Sequence, residues 1–198
     1  MAKTSDLGRT ALISLGSNAD SRWGDPTGTV QKAMLAVAQL SDRAAQFSQF
    51  YATSAFPAGS GPDFVNAAMA MITTLSPHDL LSHLHQIEAE AGRERHARWA
   101  QRTLDLDLIG LGNEVYPDEQ THAHWRNLSI QDQMRRTPDT LILPHPRMQD
   151  RAFVLVPLAE IAPNWVHPLL GQSIAALCAQ LPQADRADVV PLTPRPTA

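Results

Sequence analysis

The stretch Leu104-Asp105-Leu106-Asp107-Leu108-Ile109 constrains the fold more than any other, because its apolar–charged alternation suits a strand and not a helix. Successive side chains on a strand point to opposite faces, so Leu104, Leu106 and Leu108 share one face and Asp105, Asp107 and Ile109 the other. The two carboxylates then lie on one side, roughly 6–7 Å apart between Cα atoms. Like charges that close repel, and an apolar strand solvates neither well. Something positive belongs over them, and a divalent metal with oxygen ligands meets that need.

The residues just before this strand supply a complement. Arg93, Arg95, Arg98 and Arg102, with His96 among them, make a basic segment in a chain of net charge −4. Guanidinium groups bind phosphate bidentately and keep their charge at any working pH. An arginine run feeding Asp-x-Asp therefore suggests a polyphosphate bridged to the protein by metal, and Trp99 offers a flat surface for a ring. The plainer alternative is a solvated basic loop followed by an amphipathic edge strand. The adjacency of the two halves favours the functional reading.

The chain has 198 residues, enough for one domain with a substantial core, and its 43% hydrophobic and 18% charged residues are ordinary for a globular protein. Its acidic balance argues against nucleic-acid binding through global charge. Cys178, the one cysteine, sits in an apolar run and reads as a buried thiol. No signal-peptide core precedes the first strand and no apolar run is long enough for a bilayer, so the expected compartment is the cytoplasm, with no membrane partner. The first nine residues and the tail after Pro191 read as frayed.

Thr10–Leu15 reads as a strand ending in the turn Gly16-Ser17-Asn18, and Asp25-Pro26 opens a helix to about Leu40 with Val30, Met34, Val37 and Ala38 on one face. Arg43–Thr53 reads as a second strand, with Ala45, Phe47, Gln49 and Tyr51 alternating against Phe50. A Gly/Pro/Ser-rich loop follows, then a well-buried strand over Phe64–Thr73 in which Asn66 needs hydrogen-bond partners. Ser76-Pro77-His78-Asp79 starts a helix with Leu80, Leu81, Leu84, Ile87 and Ala91 as its apolar stripe and Gly92 at its end. Glu88 lies near the basic segment, and pairing with an arginine is its plainest role. Gly112–Asp139 reads as polar and irregular. His122 and His124 could share a metal only if that segment were extended, with no third ligand apparent. Arg151–Ala162 is expected to be partly helical, limited or kinked by Pro157. Ser173–Leu181 reads as a last short helix and Ala187–Pro191 as a strand. Strand-helix-strand-strand-helix-strand suits an antiparallel α+β sheet better than a doubly wound parallel one.

Several separated motifs agree with one family. Ser14-Leu15-Gly16-Ser17-Asn18, Tyr51-Ala52-Thr53, Phe64-Val65-Asn66-Ala67-Ala68, Arg102-Thr103-Leu104-Asp105-Leu106-Asp107, Leu143-Pro144-His145-Pro146-Arg147-Met148 and the segment from Arg151 to Pro163 together resemble the 6-hydroxymethyl-7,8-dihydropterin pyrophosphokinases. The resemblance implies a ferredoxin-like α+β fold in a single domain, with a core over about 10–163 and a C-terminal helical extension over 164–198. It implies transfer of diphosphate from ATP to a pterin alcohol with release of AMP, in folate biosynthesis; a monomer is expected. Asp105 and Asp107 would hold two Mg²⁺ ions. Arg93 and Arg102 would position the phosphates, with Arg95 and Arg98 as further contacts. His145 and Arg151 would bind ATP phosphates and Glu88 would lie along the nucleotide site. Phe64 and Phe153 would sandwich the pterin, Trp99 would close over the site, and Asn66 with backbone near Thr53 would read the ring's edge.

The chain departs from the family's pattern at Trp99-Ala100-Gln101-Arg102, where Trp-Gly-Pro-Arg is commoner, and in a basic loop one residue shorter than in some members. His85 and Thr140 carry no role over, and the segment from about Tyr116 to Thr140 is longer than in compact members. No side chain stands out as a general base, and deprotonation of the alcohol is expected to rest on the metal-bound environment and an aspartate. Asp-x-Asp also marks metal-dependent glycosyltransferases, but that reading leaves the arginine run and Leu-Pro-His-Pro unexplained. A binding relative without turnover and an RNA-binding module are the remaining alternatives, the second disfavoured by charge.

Overall fold

The computed structural model describes residues 8–55, 61–93 and 103–192. The chain runs β1 (Arg9–Ser17), α1 (Pro26–Ala38), β2 (Gln46–Phe47), β3 (Tyr51–Thr53), β4 (Phe64–Thr73), α2 (Pro77–Glu90) and β5 (Asp105–Leu111). It continues with α3 (Glu119–Arg126), α4 (Ile130–Arg135), α5 (Ala152–Ile161), α6 (Ile174–Gln180), α7 (Gln183–Ala187) and β6 (Val190–Pro191). All pairings are antiparallel, in the order β5-β1-β4-β3-β6, with β2 also on β4. This is the expected α+β arrangement with the ferredoxin-like path. No helix among the described residues is long and apolar enough to cross a membrane.

The pleat sorts the side chains into two cores. Ala11, Ile13 and Leu15 of β1, Ala67, Met69 and Met71 of β4, and Leu106 and Leu108 of β5 face α1 and α2. Leu12, Ala68, Ala70 and Ile109 face α5 and α6 on the other side. The helices start where their caps dictate. The Asp25 carboxylate accepts the N–H of Gly28 at 2.8 Å with Pro26 following, and Ser76 Oγ accepts the N–H of Asp79 at 3.1 Å with Pro77 following. Gly92 ends α2 at φ +92°, a backbone region that disfavours any Cβ.

Five expectations need correction. Arg43–Thr53 is not one strand: β2 and β3 are separated at Ser48–Phe50, where one extra residue enters the register against β4. The bulge resets the alternation, so Phe47 and Phe50 both pack on the α1/α2 core while Tyr51 turns to the α5 core. The segment after Gly112 is not irregular, because α3 and α4 form there under Asp118 and Ser129 caps. Arg9 is not frayed. It pairs with Thr73 in the sheet and forms an ion pair with Glu114. Ser173–Leu181 is not the last helix, as α7 follows it, and the closing strand shortens to Val190–Pro191. Pro157 sits within α5 without ending it.

The turn between Val166 and Ser173 packs the C-terminal part against the molecule through His167, which is fully buried. Its Nδ1 accepts the N–H groups of Leu169 and Leu170, both at 3.2 Å. Burial, then His122 and Arg126, push its pKa down to about 4. The folded ring stays neutral where an unfolded one, near 6.5, takes up a proton. The resulting stability is present above pH 6.5 and is lost as pH falls from there towards 4, roughly 3 kcal/mol in all. Urea unfolding at pH 7 and pH 4.5 should show a flatter pH dependence in His167→Phe than in the parent chain. Equal slopes would mean His167 is not held neutral.

Candidate active site

The loop-facing ends of β1, β3, β4 and β5 meet at one margin of the sheet, and the register lines up their polar residues. Asp105 lies opposite Gly16, Gly16 opposite Asn66, and Asn66 opposite Tyr51. The neighbouring rows place Asp107 opposite Ser14 and Phe64 opposite Thr53. Period-2 alternation puts all of these side chains on the face that α5 covers. The expected one-sided pair of carboxylates is therefore present, and both aspartates are partly exposed. Gly16, read from sequence as a turn, is still in β1. A Cβ there would come within 2.9 Å of Asn66 Oδ1, so a side chain would close the gap between the acidic and amide halves of the row. A glycine inside an apolar run was the signal for that close approach.

Asn66 is buried and donates from Nδ2 to Thr53 Oγ1 at 2.7 Å, which fixes the amide at the sheet margin. Phe64, on the same face, and Phe153, at the start of α5, are each partly exposed. Phe153 also lies under the Arg151 guanidinium at 5.6 Å from the ring centre.

Charge is organised around Arg93. Its Nη1 reaches Asp105 Oδ1 at 2.7 Å and donates to Glu88 Oε1, while the same Glu88 oxygen accepts the backbone N–H of Leu106 at 2.8 Å. Glu88 is 2% exposed. It thus pairs with an arginine, as its plainest reading had it, and also holds the start of β5. Burial opposes the Arg93 charge, but Asp105 and Glu88 outweigh it and raise the pKa. Ser17 Oγ donates to the carbonyl of Thr103 at 2.7 Å, tying the entry of β5 to the end of β1. Arg95, Arg98, Trp99 and Arg102 lie outside the described residues.

His145 is held beside β5, the edge strand that carries both aspartates. β5 carries a bulge at Ile109, which has no register partner on β1, and its carbonyl accepts the His145 N–H at 2.8 Å. The imidazole Nδ1 accepts the N–H of Arg147 at 3.2 Å, so the neutral ring carries its proton on Nε2 as a donor. Burial, with Arg151 and Arg147 adding to it and Asp105 opposing, pushes the pKa down to about 3. His145 is therefore a neutral donor throughout the working range. Arg151 Nη1 stands 3.8 Å from Asp107 Oδ2, a looser and more solvated pair than Arg93–Asp105.

Among the described residues no group of three or more His, Cys, Asp or Glu could hold a metal by itself. His122 points into the protein and His124 lies beside Trp125 and Arg136, which removes the shared-metal reading of that pair. Two carboxylates without a cage still suit Mg²⁺, which commonly takes one or two carboxylates and completes its octahedron with water and substrate phosphate.

Residues 12–163 match the family described as 7,8-dihydro-6-hydroxymethylpterin-pyrophosphokinase. A 2-amino-4-hydroxy-6-hydroxymethyldihydropteridine pyrophosphokinase of Haemophilus influenzae is 38% identical over 160 residues, covering 80% of this chain and 85% of the relative. The enzyme of the same name from Bacillus subtilis is 36% identical over 159 residues, covering 78% and 79%. A solved Plasmodium falciparum HPPK-DHPS structure superposes with TM-score 0.59 at 14% identity. That likeness covers 87% of this chain, which spans 44% of the length of its counterpart, and it supports the fold.

The two ion pairs should differ in weight. Glu88→Ala leaves the Arg93 charge half-buried and the Leu106 N–H unpaired, and should cost about 3 kcal/mol. Arg151→Ala breaks a partly solvated pair and should cost about 1 kcal/mol or less. Equal losses on urea unfolding would refute the ranking.

Proposed function

Because the chain belongs to the 7,8-dihydro-6-hydroxymethylpterin-pyrophosphokinase family, we propose that the margin where β1, β3, β4 and β5 meet is where diphosphate passes from ATP to the pterin alcohol. The chain is an ATP-dependent pyrophosphokinase of folate biosynthesis, and the family generally uses Mg²⁺. The observation that carries the site is the single row joining Asp105, Gly16 and Asn66. In this reading it would set a charge-neutralising end beside an amide-reading end.

In this reading the pterin lies between Phe64 and Phe153, with Asn66 and the backbone near Thr53 pairing with its edge and Trp99 closing above. Flat amide-like rings call for such aromatic faces and in-plane hydrogen bonds. Asp105 and Asp107 would hold two Mg²⁺ ions, which when bound would neutralise phosphate charge and polarise the group being transferred. Arg93, Arg95, Arg98 and Arg102 would position the triphosphate, joined by Arg151 and by the neutral Nε2–H of His145. The pterin hydroxymethyl oxygen would attack the β-phosphorus in line and give up its proton to an aspartate of the site, the bond from that phosphorus to the α–β bridging oxygen would break, and AMP would leave with the electron pair. Such transfer depends chiefly on positioning and electrostatic stabilisation, which arginines and carboxylates supply. Glu88 would act by holding Arg93 and the start of β5. A monomer working in the cytoplasm belongs to the same proposal.

The test is AMP release from ATP and Mg²⁺ with and without 6-hydroxymethyl-7,8-dihydropterin. Pterin-dependent AMP and a diphosphorylated pterin are expected, and binding of both substrates without turnover would favour a degenerate relative. Asp105→Asn should lower kcat by about a hundredfold or more, and near-normal activity would refute its metal role. Gly16→Ala should push the Asn66 amide aside and raise the pterin KM by about tenfold while leaving that of ATP nearly unchanged. Equal effects on both substrates would remove Asn66 from the pterin side.

A further inference from the structure

Behind His145 lies a buried polar junction built from parts of the chain that the reaction does not touch. His122 of α3 is fully buried, and its Nε2 is 2.9 Å from the carbonyl oxygen of Pro144. A carbonyl only accepts, so the His122 proton is on Nε2. That carbonyl and the His145 N–H belong to the same peptide plane. One edge of the plane is held by His122, and the other by the Ile109 carbonyl at 2.8 Å. A peptide unit is rigid, so holding both edges sets the backbone direction from which the His145 side chain springs.

A second element backs the first. The His167 ring stands edge-on to His122, 5.8 Å between centres, and Trp165 stands edge-on to His167 at 6.1 Å. His122 is the one buried residue of α3, so this helix meets the core at the junction and not along an apolar stripe. Replacing an imidazole here with an apolar ring would leave the Pro144 carbonyl buried without its donor, and the peptide would turn to find another.

We propose that His122 is a positioning residue for the nucleotide site: by donating to the Pro144 carbonyl it aims the His145 imidazole, making the segment 116–140 part of that site's scaffold. The proposal rests on the reading of His145 as a phosphate contact, and the experiment separates the two. His122→Phe removes the donor and keeps a ring, whereas His122→Gln carries an amide N–H close to the lost Nε2. Calorimetry would follow a non-hydrolysable ATP analogue with Mg²⁺, steady-state kinetics would follow the pterin KM, and ¹⁵N NMR would report the His145 tautomer. His122→Phe should weaken the analogue by about tenfold, leave the pterin KM within about twofold, and mix the His145 tautomers. His122→Gln should restore most of the affinity, and His122→Phe should add nothing in a His145→Ala background. A lower Tm with unchanged His145 tautomer and analogue affinity would overturn the proposal, as would equal weakening of both substrates. If His145→Ala binds the analogue normally, the phosphate role of His145 fails; the tautomer in His122→Phe still decides whether His122 positions it.

Discussion

The site depends on β1 being paired on both sides. Because β4 and β5 both run antiparallel to it, one end of β1 meets the beginning of β4 and the beginning of β5. Residues far apart in sequence, Asp105 and Asn66, therefore flank Gly16 within a sheet spacing, about 5 Å to each side. A one-residue slip on either side would turn the aspartates or the asparagine towards α1 and α2. Burial of Ala11, Ile13 and Leu15 on one face and Leu12 on the other makes such a slip costly. Core packing thus sets the alignment on which the proposed site depends.

Electrostatics then divides the acidic residues by burial. Glu88 has almost no water, so its charge requires both Arg93 and the Leu106 N–H. Asp105 shares that arginine while keeping part of its surface, and Asp107 pairs among the described residues with the more distant Arg151. The gradient from inside to outside would suit the proposed binding of positive charge from solution. The innermost carboxylate is already neutralised and anchors the strand, and the outer two retain access. His145 adds a donor without adding charge, because its surroundings keep it neutral.

Much of this was legible in sequence, for physical reasons that can be named. β4 and α2 were readable because an apolar run and a Ser-Pro cap each state one local preference and tertiary structure agrees with it. The Asp-x-Asp face followed from the pleat alone. Bulges were not readable. At Ser48–Phe50 the alternation restarts, and the signal is only the Ser48 hydroxyl, which takes the Ala68 N–H that a regular strand would have paired. The bulge at Ile109 was equally silent, although it frees the carbonyl that holds His145.

The polar segment after Gly112 was misread for a related reason. Periodicity detects helices that bury a stripe, and α3 buries one residue, His122. Asp118 three residues before Thr121, and Ser129 three before Asp132, were its only local marks. A helix that buries one histidine gains little from hydrophobic burial, and the hydrogen bond to Pro144 and the contact with His167 tie it to the core. Such an element contributes geometry more than stability, and the geometry it controls is the peptide entering His145. The same polar character that hid the segment from a hydrophobic pattern is what lets it grip a backbone carbonyl next to the site.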